Sequence, residues 1–312
     1  MPHRTSAIRV QIDRSKPGSV EHFWHFLLGV AFPLLDFHRR EPHRLPGARL
    51  GLESCGAAMD PLLPPLARSL GFDLEIPPRN ASPPSPQPAE TTLRLDREPA
   101  GRSPRPAWPA SIVEGSLHLP RWDLFLARGG AQDAGFVEAL RKTAETVVSR
   151  TAEPDCCRTA PPDEAYLLLR RSPEPAYFKA GGNAEIPTYG TGRRSLEGLE
   201  TCRDALLSRG VPALVYEPGA HTLTCQARHF SRARGAIGIR GAEFANLVWM
   251  RPASTVLMLS WESTWVPPQR ALARAMGITS YIEMDIPPSD RAHLDPDRIL
   301  LTLLEPGSRH HE

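Results

Sequence analysis

The sequence predicts an α/β fold in two lobes, with a parallel, doubly wound sheet in the C-terminal one. Three observations predict it. Five short apolar strand segments alternate with helical segments between residues 165 and 304, the pattern of a parallel sheet covered by helices. The chain has 312 residues, enough for two domains of about 150 each. Hydrophobic residues make up 41%, so each domain can enclose a core. The stretch Thr151 to Pro162 has no apolar period and marks the boundary, giving an N-terminal domain 1–150 and a C-terminal domain 151–312.

The elements follow in order. Ser6 to Ile12 alternates as a strand, and His22 to Phe37 is an apolar helix. Met59 to Gly71 is a second helix, with Asp60 as its cap, Pro61 in its first turn and Gly71 closing it. Phe72 to Ile76 is a short strand. Pro77 to Ala110 is rich in Pro, Ser and Arg and is expected to be an irregular surface insertion. Trp122 to Ala127 is expected as a strand and Ala131 to Ser149 as a long helix.

In the second half, strands are expected at 165–169, 211–216, 234–239, 254–259 and 279–284. Helices are expected at 195–208, 222–233, 241–250, 267–276 and 295–304. Gly210 and Gly277 close the first and fourth of these helices.

The net charge is +2, which gives no reason to expect a nucleic-acid partner. Lysine occurs only at Lys16, Lys142 and Lys179, so arginine supplies nearly all of the 37 basic residues. With 34 prolines, that bias matches the codons of a GC-rich genome. The five cysteines are odd in number and none forms Cys-x-x-Cys. Neither a disulfide framework nor structural zinc is expected, and a reducing cytoplasm fits. His310 and His311 belong to a tail expected to be unstructured. The apolar run 22–37 is shorter than the ~20 residues a bilayer requires and carries two histidines and Asp36, so it is expected to be a buried helix.

The chemistry is expected at Gly235-Ala-Ile-Gly-Ile-Arg-Gly-Ala-Glu-Phe-Ala-Asn246, a strand-to-helix junction. Parallel sheets bind ligands at the carboxyl ends of their strands, and helix N-termini there offer free N–H groups to phosphates. Gly238 and Gly241 suit a tight turn and close approach of a ligand. Arg240 can fork onto phosphate oxygens. Arg170 and Arg171, at the end of the first C-terminal strand, can add charge. His25, whose unperturbed pKa lies near neutrality, is the first candidate base, and Glu243 the second. A metal-held diphosphate is not expected.

This stretch resembles the C-terminal motif of glycosyltransferase family 61. The family's pattern runs Gly-x-His-Gly-Ala, two or three residues, then Asn and an apolar run with Pro. Here it is Gly238-Ile-Arg240-Gly241-Ala242-Glu-Phe-Ala-Asn246, then Leu-Val-Trp-Met-Arg-Pro252. Gln226, the group Phe230-Ser-Arg-Ala233 and Tyr166-Leu-Leu-Leu-Arg-Arg171 are similar to family features. His22-Phe-Trp-His25 looks like its Asn-x-x-His motif. The resemblance is specific over about residues 165–260. Two positions differ: Arg240 replaces the family His and cannot exchange a proton, and His22 replaces the family Asn.

The resemblance implies two Rossmann-like lobes in the arrangement called GT-B, with the acceptor on the N-terminal lobe and the sugar nucleotide on the C-terminal lobe. It implies a bacterial, cytoplasmic enzyme at the inner face of the membrane, moving a sugar from a UDP-type donor to a glycan or glycolipid in surface-polysaccharide assembly. No permanently bound cofactor is implied. Gly238, Arg240, Gly241, Ala242, Asn246, Gln226, Arg170 and Arg171 would hold the donor. The alternatives are a non-catalytic relative serving as a binding or assembly partner, and a nucleotide-dependent enzyme of another class. Against a dehydrogenase, no Gly-x-Gly-x-x-Gly follows the first strand.

Overall fold

The computed structural model describes residues 7–12, 20–42, 49–77, 91–96, 111–113, 116–151, 164–173, 195–261, 268–289 and 291–304. The chain is mixed α/β. It divides into two compact units, Met1–Ala152 and Glu153–Glu312, each built on a largely parallel sheet. The expected boundary segment beyond Thr151 lies outside the described residues, as does the His310–His311 tail. Among the described residues no helix is long and apolar enough to cross a membrane.

Unit 1 begins with β1 (Ala7–Ile12) and the long helix α1. α1 runs as Phe23–Phe26, a π-helical stretch Leu27–Ala31, and Phe32–Arg40. Then come β2 (Arg49–Leu52), α2 (Leu63–Ser69), β3 (Asp73–Glu75), β4 (Thr91–Asp96), β5 (Ser111–Val113), β6 (Ser116–Pro120), α3 (Trp122–Ala127) and α4 (Ala134–Arg150). The sheet order is β3-β2-β1-β4-β6-β5, parallel except for the β5–β6 hairpin. The order reverses between β1 and β4. The π stretch has a local cause. Pro33 has no N–H to give the carbonyl of Gly29, and the helix widens just before it, with the Phe32 N–H reaching back to Leu27 O.

Three expectations are corrected in this unit. β4 lies inside the stretch 77–110 expected to be irregular, yet it pairs with both β1 and β6. Its buried Leu93 and Leu95 alternate with polar residues, a short period-2 signal masked by flanking proline-rich sequence. Trp122 to Ala127, expected as a strand, is helix α3; the strand is Ser116–Pro120 just before it. A six-residue apolar run does not fix its own period. Packing does: Trp122 and Leu126, one turn apart, are both buried, and Trp122 lies 5.8 Å from Phe32 and 5.3 Å from Phe136. Asp60 does not cap α2. Its oxygens accept from Cys55 N and Ser54 Oγ, both at 2.6 Å, closing the loop after β2. The helix starts at Leu63, with Pro64 and Pro65 in its first turn, and ends before Gly71 at φ +90°.

α1 is tied to α4 by a buried ion cluster. Asp36 is fully buried; its Oδ1 accepts from Arg39 Nη2 at 2.6 Å and from Thr143 Oγ1 of α4 at 3.3 Å, and its Oδ2 faces Arg40 Nη2 in an ion pair at 2.6 Å.

Unit 2 runs β7 (Tyr166–Leu169), β8 (Ser195–Glu197), α5 (Leu199–Ser208), β9 (Ala213–Tyr216), α6 (Leu223–Arg232), β10 (Gly235–Ile239), a 3-10 helix (Ala242–Trp249), β11 (Thr255–Ser260), α7 (Pro268–Met276), β12 (Ser280–Asp285), β13 (Arg291–His293) and α8 (Pro296–Leu304). The main sheet, β12-β11-β10-β7-β9, is wholly parallel. Tyr166, Leu168, Ile237, Ile239, Leu257 and Leu259 form one core with Leu199 and Leu206 of α5 and Ile299 and Leu300 of α8. The intervening Leu167, Ala236, Val256 and Met258 are buried too, so both faces are covered.

The helix expected from Ser195 begins only at Leu199. Ser195–Glu197 pairs with β13 as a small separate sheet, and Gly198 at φ +79° turns the chain into the helix. The helix expected at 241–250 is 3-10 rather than α. Where the cysteine spacing gave no disulfide framework, Cys225 is disulfide-bonded, and Cys55 and Cys202 are not.

His229, on α6, is 5% exposed, and no described residue hydrogen-bonds either ring nitrogen. It packs edge-on to Tyr216 at 4.8 Å. Burial, with the charges of His221 and Arg232, pushes its pKa down to about 4. An unfolded histidine titrates near ~6.5. Below that pH the unfolded chain takes up a proton that the folded chain refuses until about pH 4. Stability is therefore complete above ~6.5 and falls as the pH drops, by about 3 kcal/mol at full extent. Urea unfolding of His229→Leu at pH 7 and pH 4.5 should show about 2–3 kcal/mol less acid loss than the wild type. Equal losses in the two proteins would refute this.

Candidate functional site

The topology of the main sheet of unit 2 singles out one place on its edge. Renumbered in chain order its strands run 2-1-3-4-5, so the connections leave β7 and β10 in opposite directions. Ligands of doubly wound sheets bind at the carboxyl ends of the two strands flanking such a reversal. The residues that follow β7 are Arg170 and Arg171, and those that follow β10 are Arg240 and Gly241. Arg171 Nε lies 3.6 Å from Glu243 Oε1, with the side chains 14% and 20% exposed. Arg240 is 9% exposed, and its Nη1 donates to Ser260 Oγ at the end of β11 at 3.5 Å. Arg170 turns to the exposed Glu200 on α5. Arg171, Arg240 and Glu243 thus gather at the reversal, and Arg170 stands at its edge.

The two expected ligand glycines have other reasons to be glycine. Gly238 sits within β10, where a Cβ would come 3.0 Å from Leu169 Cβ, so its smallness lets β10 and β7 pack. Gly241 is in extended backbone that any residue adopts, but a Cβ there would run into the Glu243 carboxylate folded over it. Its carbonyl accepts from Gln269 Nε2 at 3.2 Å. Gly241, Ala242 and Glu243 are partly exposed, whereas Phe244 to Trp249 are buried. An anion arriving at this turn meets the Glu243 carboxylate and must share Arg171 with it.

Asn246 and Gln226, both expected at the ligand, are 0% and 1% exposed and spend their polar atoms inside the unit. Asn246 Nδ2 donates to Gln226 Oε1 at 2.9 Å and to Glu243 O at 3.2 Å. Asn246 Oδ1 accepts from Trp249 Nε1 at 3.0 Å, and Gln226 Nε2 donates to His221 O at 3.0 Å. The indole can only donate, which fixes the orientation of the Asn246 amide. Together they staple α6 to the 3-10 helix and so hold the turn.

Unit 1 carries a second organised group. His25 is in the first turn of α1, which follows β1, and Arg121 and Asp123 directly follow β6. Both strands are parallel to the intervening β4, so the group sits on the carboxyl side of that sheet. His25 Nδ1 donates to Asp123 Oδ2 at 2.6 Å. Arg121 donates to the same carboxylate through Nη2 at 2.7 Å and Nε at 3.2 Å. Asp123 is fully buried, and the His25 side chain is 28% exposed. Burial works to raise the Asp123 pKa, but the hydrogen bonds from His25 and Arg121 and their charges outweigh it and hold the carboxyl below the usual range. Gly29 makes room: a Cβ there would lie 2.6 Å from Asp123 Oδ1.

No family model matches this chain, and no curated protein does.

Arg121 and Asp123 were not singled out in the sequence. The available signal was Arg-x-Asp immediately after a strand ending at Pro120, which assigning Trp122–Ala127 to a strand conceals. The sequence does contain one Asp-x-Asp triplet, Asp295-Pro296-Asp297, the kind of pair that can hold a metal diphosphate. It opens α8, where Asp295 Oδ1 accepts from the N–H groups of Asp297 and Arg298 at 3.0 and 3.4 Å. That is a helix cap. Among the described residues no cluster of three or more His, Cys, Asp or Glu side chains is arranged to hold a metal ion.

Replacing Asn246 by Ala removes the buried hydrogen bonds it makes to Gln226 Oε1 and from Trp249 Nε1, a loss of about 2–4 kcal/mol. Chemical denaturation followed by tryptophan fluorescence should show that loss. A change under 0.5 kcal/mol would mean that the network is not structural.

Proposed function

We propose that the protein is an inverting, metal-independent glycosyltransferase that moves a sugar from a nucleotide donor to a hydroxyl of a glycan or glycolipid. The observation that carries this is the strand-order reversal between β7 and β10 with Arg171 and Arg240 at its edge. It falls within the stretch that resembles the C-terminal motif of glycosyltransferase family 61. In this reading unit 2 holds the sugar nucleotide and unit 1 the acceptor, as the two Rossmann-like lobes of a GT-B enzyme do. Transfer creates negative charge on the departing diphosphate, and cations held in a low-dielectric crevice stabilise it. Arg240 and Arg171 supply that charge, with Arg170 close by. His25 accepts the acceptor proton. Glu243, the second candidate base, has its carboxylate 3.6 Å from Arg171 Nε.

The setting that goes with this reading is cytoplasmic, with peripheral association at a bacterial inner membrane and a role in surface-polysaccharide assembly. A non-catalytic binding partner with the same fold is the second reading. What favours it is the Glu243 carboxylate over the Gly241 turn, where a donor phosphate would otherwise lie, together with Arg240 in place of the family histidine.

Calorimetry with a panel of UDP-, GDP-, CMP- and dTDP-sugars tests the proposal. At least one should bind, and Arg240→Ala and Arg171→Ala should each weaken it about tenfold or more, as loss of a charged hydrogen bond does. Turnover of the bound donor in the presence of glycan acceptors separates the two readings. If no sugar nucleotide binds, the proposal fails.

A further inference from the structure

The group around Asp123 contains more than a structural ion pair needs. Arg121 alone gives the buried carboxylate a charge partner and two N–H donors. A third donor arrives from His25, 98 positions away, on a helix that approaches only where Gly29 leaves space. An ionised carboxylate only accepts hydrogen bonds, so a neutral His25 ring carries its proton on Nδ1 and leaves the lone pair on Nε2. No described residue hydrogen-bonds Nε2, and the ring is 28% exposed. An imidazole fixed in one tautomer by a buried carboxylate, with its other nitrogen open, is the arrangement of an oriented general base.

Resting on the transferase reading, we infer that Asp123, clamped by Arg121, is the positioning residue that makes His25 Nε2 the base for the acceptor hydroxyl. In the step, the acceptor oxygen forms a bond to the anomeric carbon as that carbon's bond to the diphosphate oxygen breaks. The bonding pair leaves with the nucleoside diphosphate. The hydroxyl proton passes to Nε2, and the imidazolium so formed faces the Asp123 carboxylate until it gives the proton to solvent. Gly29 is part of the same device, because any side chain there displaces the carboxylate.

Long-range proton–nitrogen NMR on histidine-labelled protein reads the tautomer of His25, assigned by the signal lost in His25→Gln. The wild type should show Nδ1–H with an unprotonated Nε2. Asp123→Asn should lose that preference, and its kcat should fall about 10²- to 10⁴-fold, the usual worth of a positioned base. Its affinity for the sugar nucleotide should stay within twofold. His25→Ala, which leaves the Arg121–Asp123 pair intact, should lose a similar factor and recover part of it with added imidazole. The double variant His25→Ala/Asp123→Asn should not recover. An Nε2–H tautomer in the wild type, or kcat in Asp123→Asn within threefold of wild type, overturns the inference. Should Asp123→Asn fail to fold, the wild-type tautomer and the imidazole rescue of His25→Ala still decide it. If the wild type turns over no sugar nucleotide, the transferase reading falls, and the tautomer by itself decides whether Asp123 orients His25.

Discussion

A carboxylate with no access to water sets the geometry of the first unit. Removing an ion of that size from solvent costs several kcal/mol even after the surroundings relax. Asp123 is therefore stable as an anion only if its partners are in place when the unit closes. Arg121 is available from the adjoining strand end, two positions away. His25 has to come from α1. That helix passes close enough because residue 29 has no side chain and because the chain widens into π turns ahead of Pro33. Fold and site thus share one constraint: the contact that compensates the buried charge also orients the imidazole.

The same logic operates further along α1. Asp36 is buried against Arg39, Arg40 and Thr143, which fastens that part of the helix to α4. α1 is held at both ends by charges that cannot be exposed without loss. His25, carried on such a helix, is held in place in advance, as the proposed proton transfer would require.

Unit 2 distributes its polar groups differently. Its neutral amides, Asn246 and Gln226, are turned inward and satisfied by each other and by nearby donors and acceptors. Its cations stand at the strand ends. The 3.6 Å separation of Arg171 and Glu243 is beyond a good hydrogen bond, so their attraction is mainly Coulombic and can yield to a more highly charged anion. The inner network holds the turn, and the charged side chains lie outside it.

The alternation of strands and helices in the second half was legible because parallel strands buried on both faces must be apolar throughout, and each connecting helix repeats the signal. The glycine stops at Gly71, Gly210 and Gly277 were legible because each needs a positive φ. His25, Arg171 and Arg240 were legible as candidates because of their chemistry and their places next to strand ends. The role of Arg121 and Asp123 was not, since neither belongs to a local pattern that includes His25.

By itself, then, the sequence determined the α/β class, most of the second unit's elements and the residues able to carry charge or protons at their ends. These follow from local periodicity and side-chain type. The tertiary structure decided that Thr91–Asp96 is a central strand, that Trp122–Ala127 is helical, that Asn246 and Gln226 face inward, and that His25 meets Asp123. Each of these depends on a partner distant in sequence, and the stability of a buried strand, amide or charge is set by what surrounds it rather than by its neighbours along the chain.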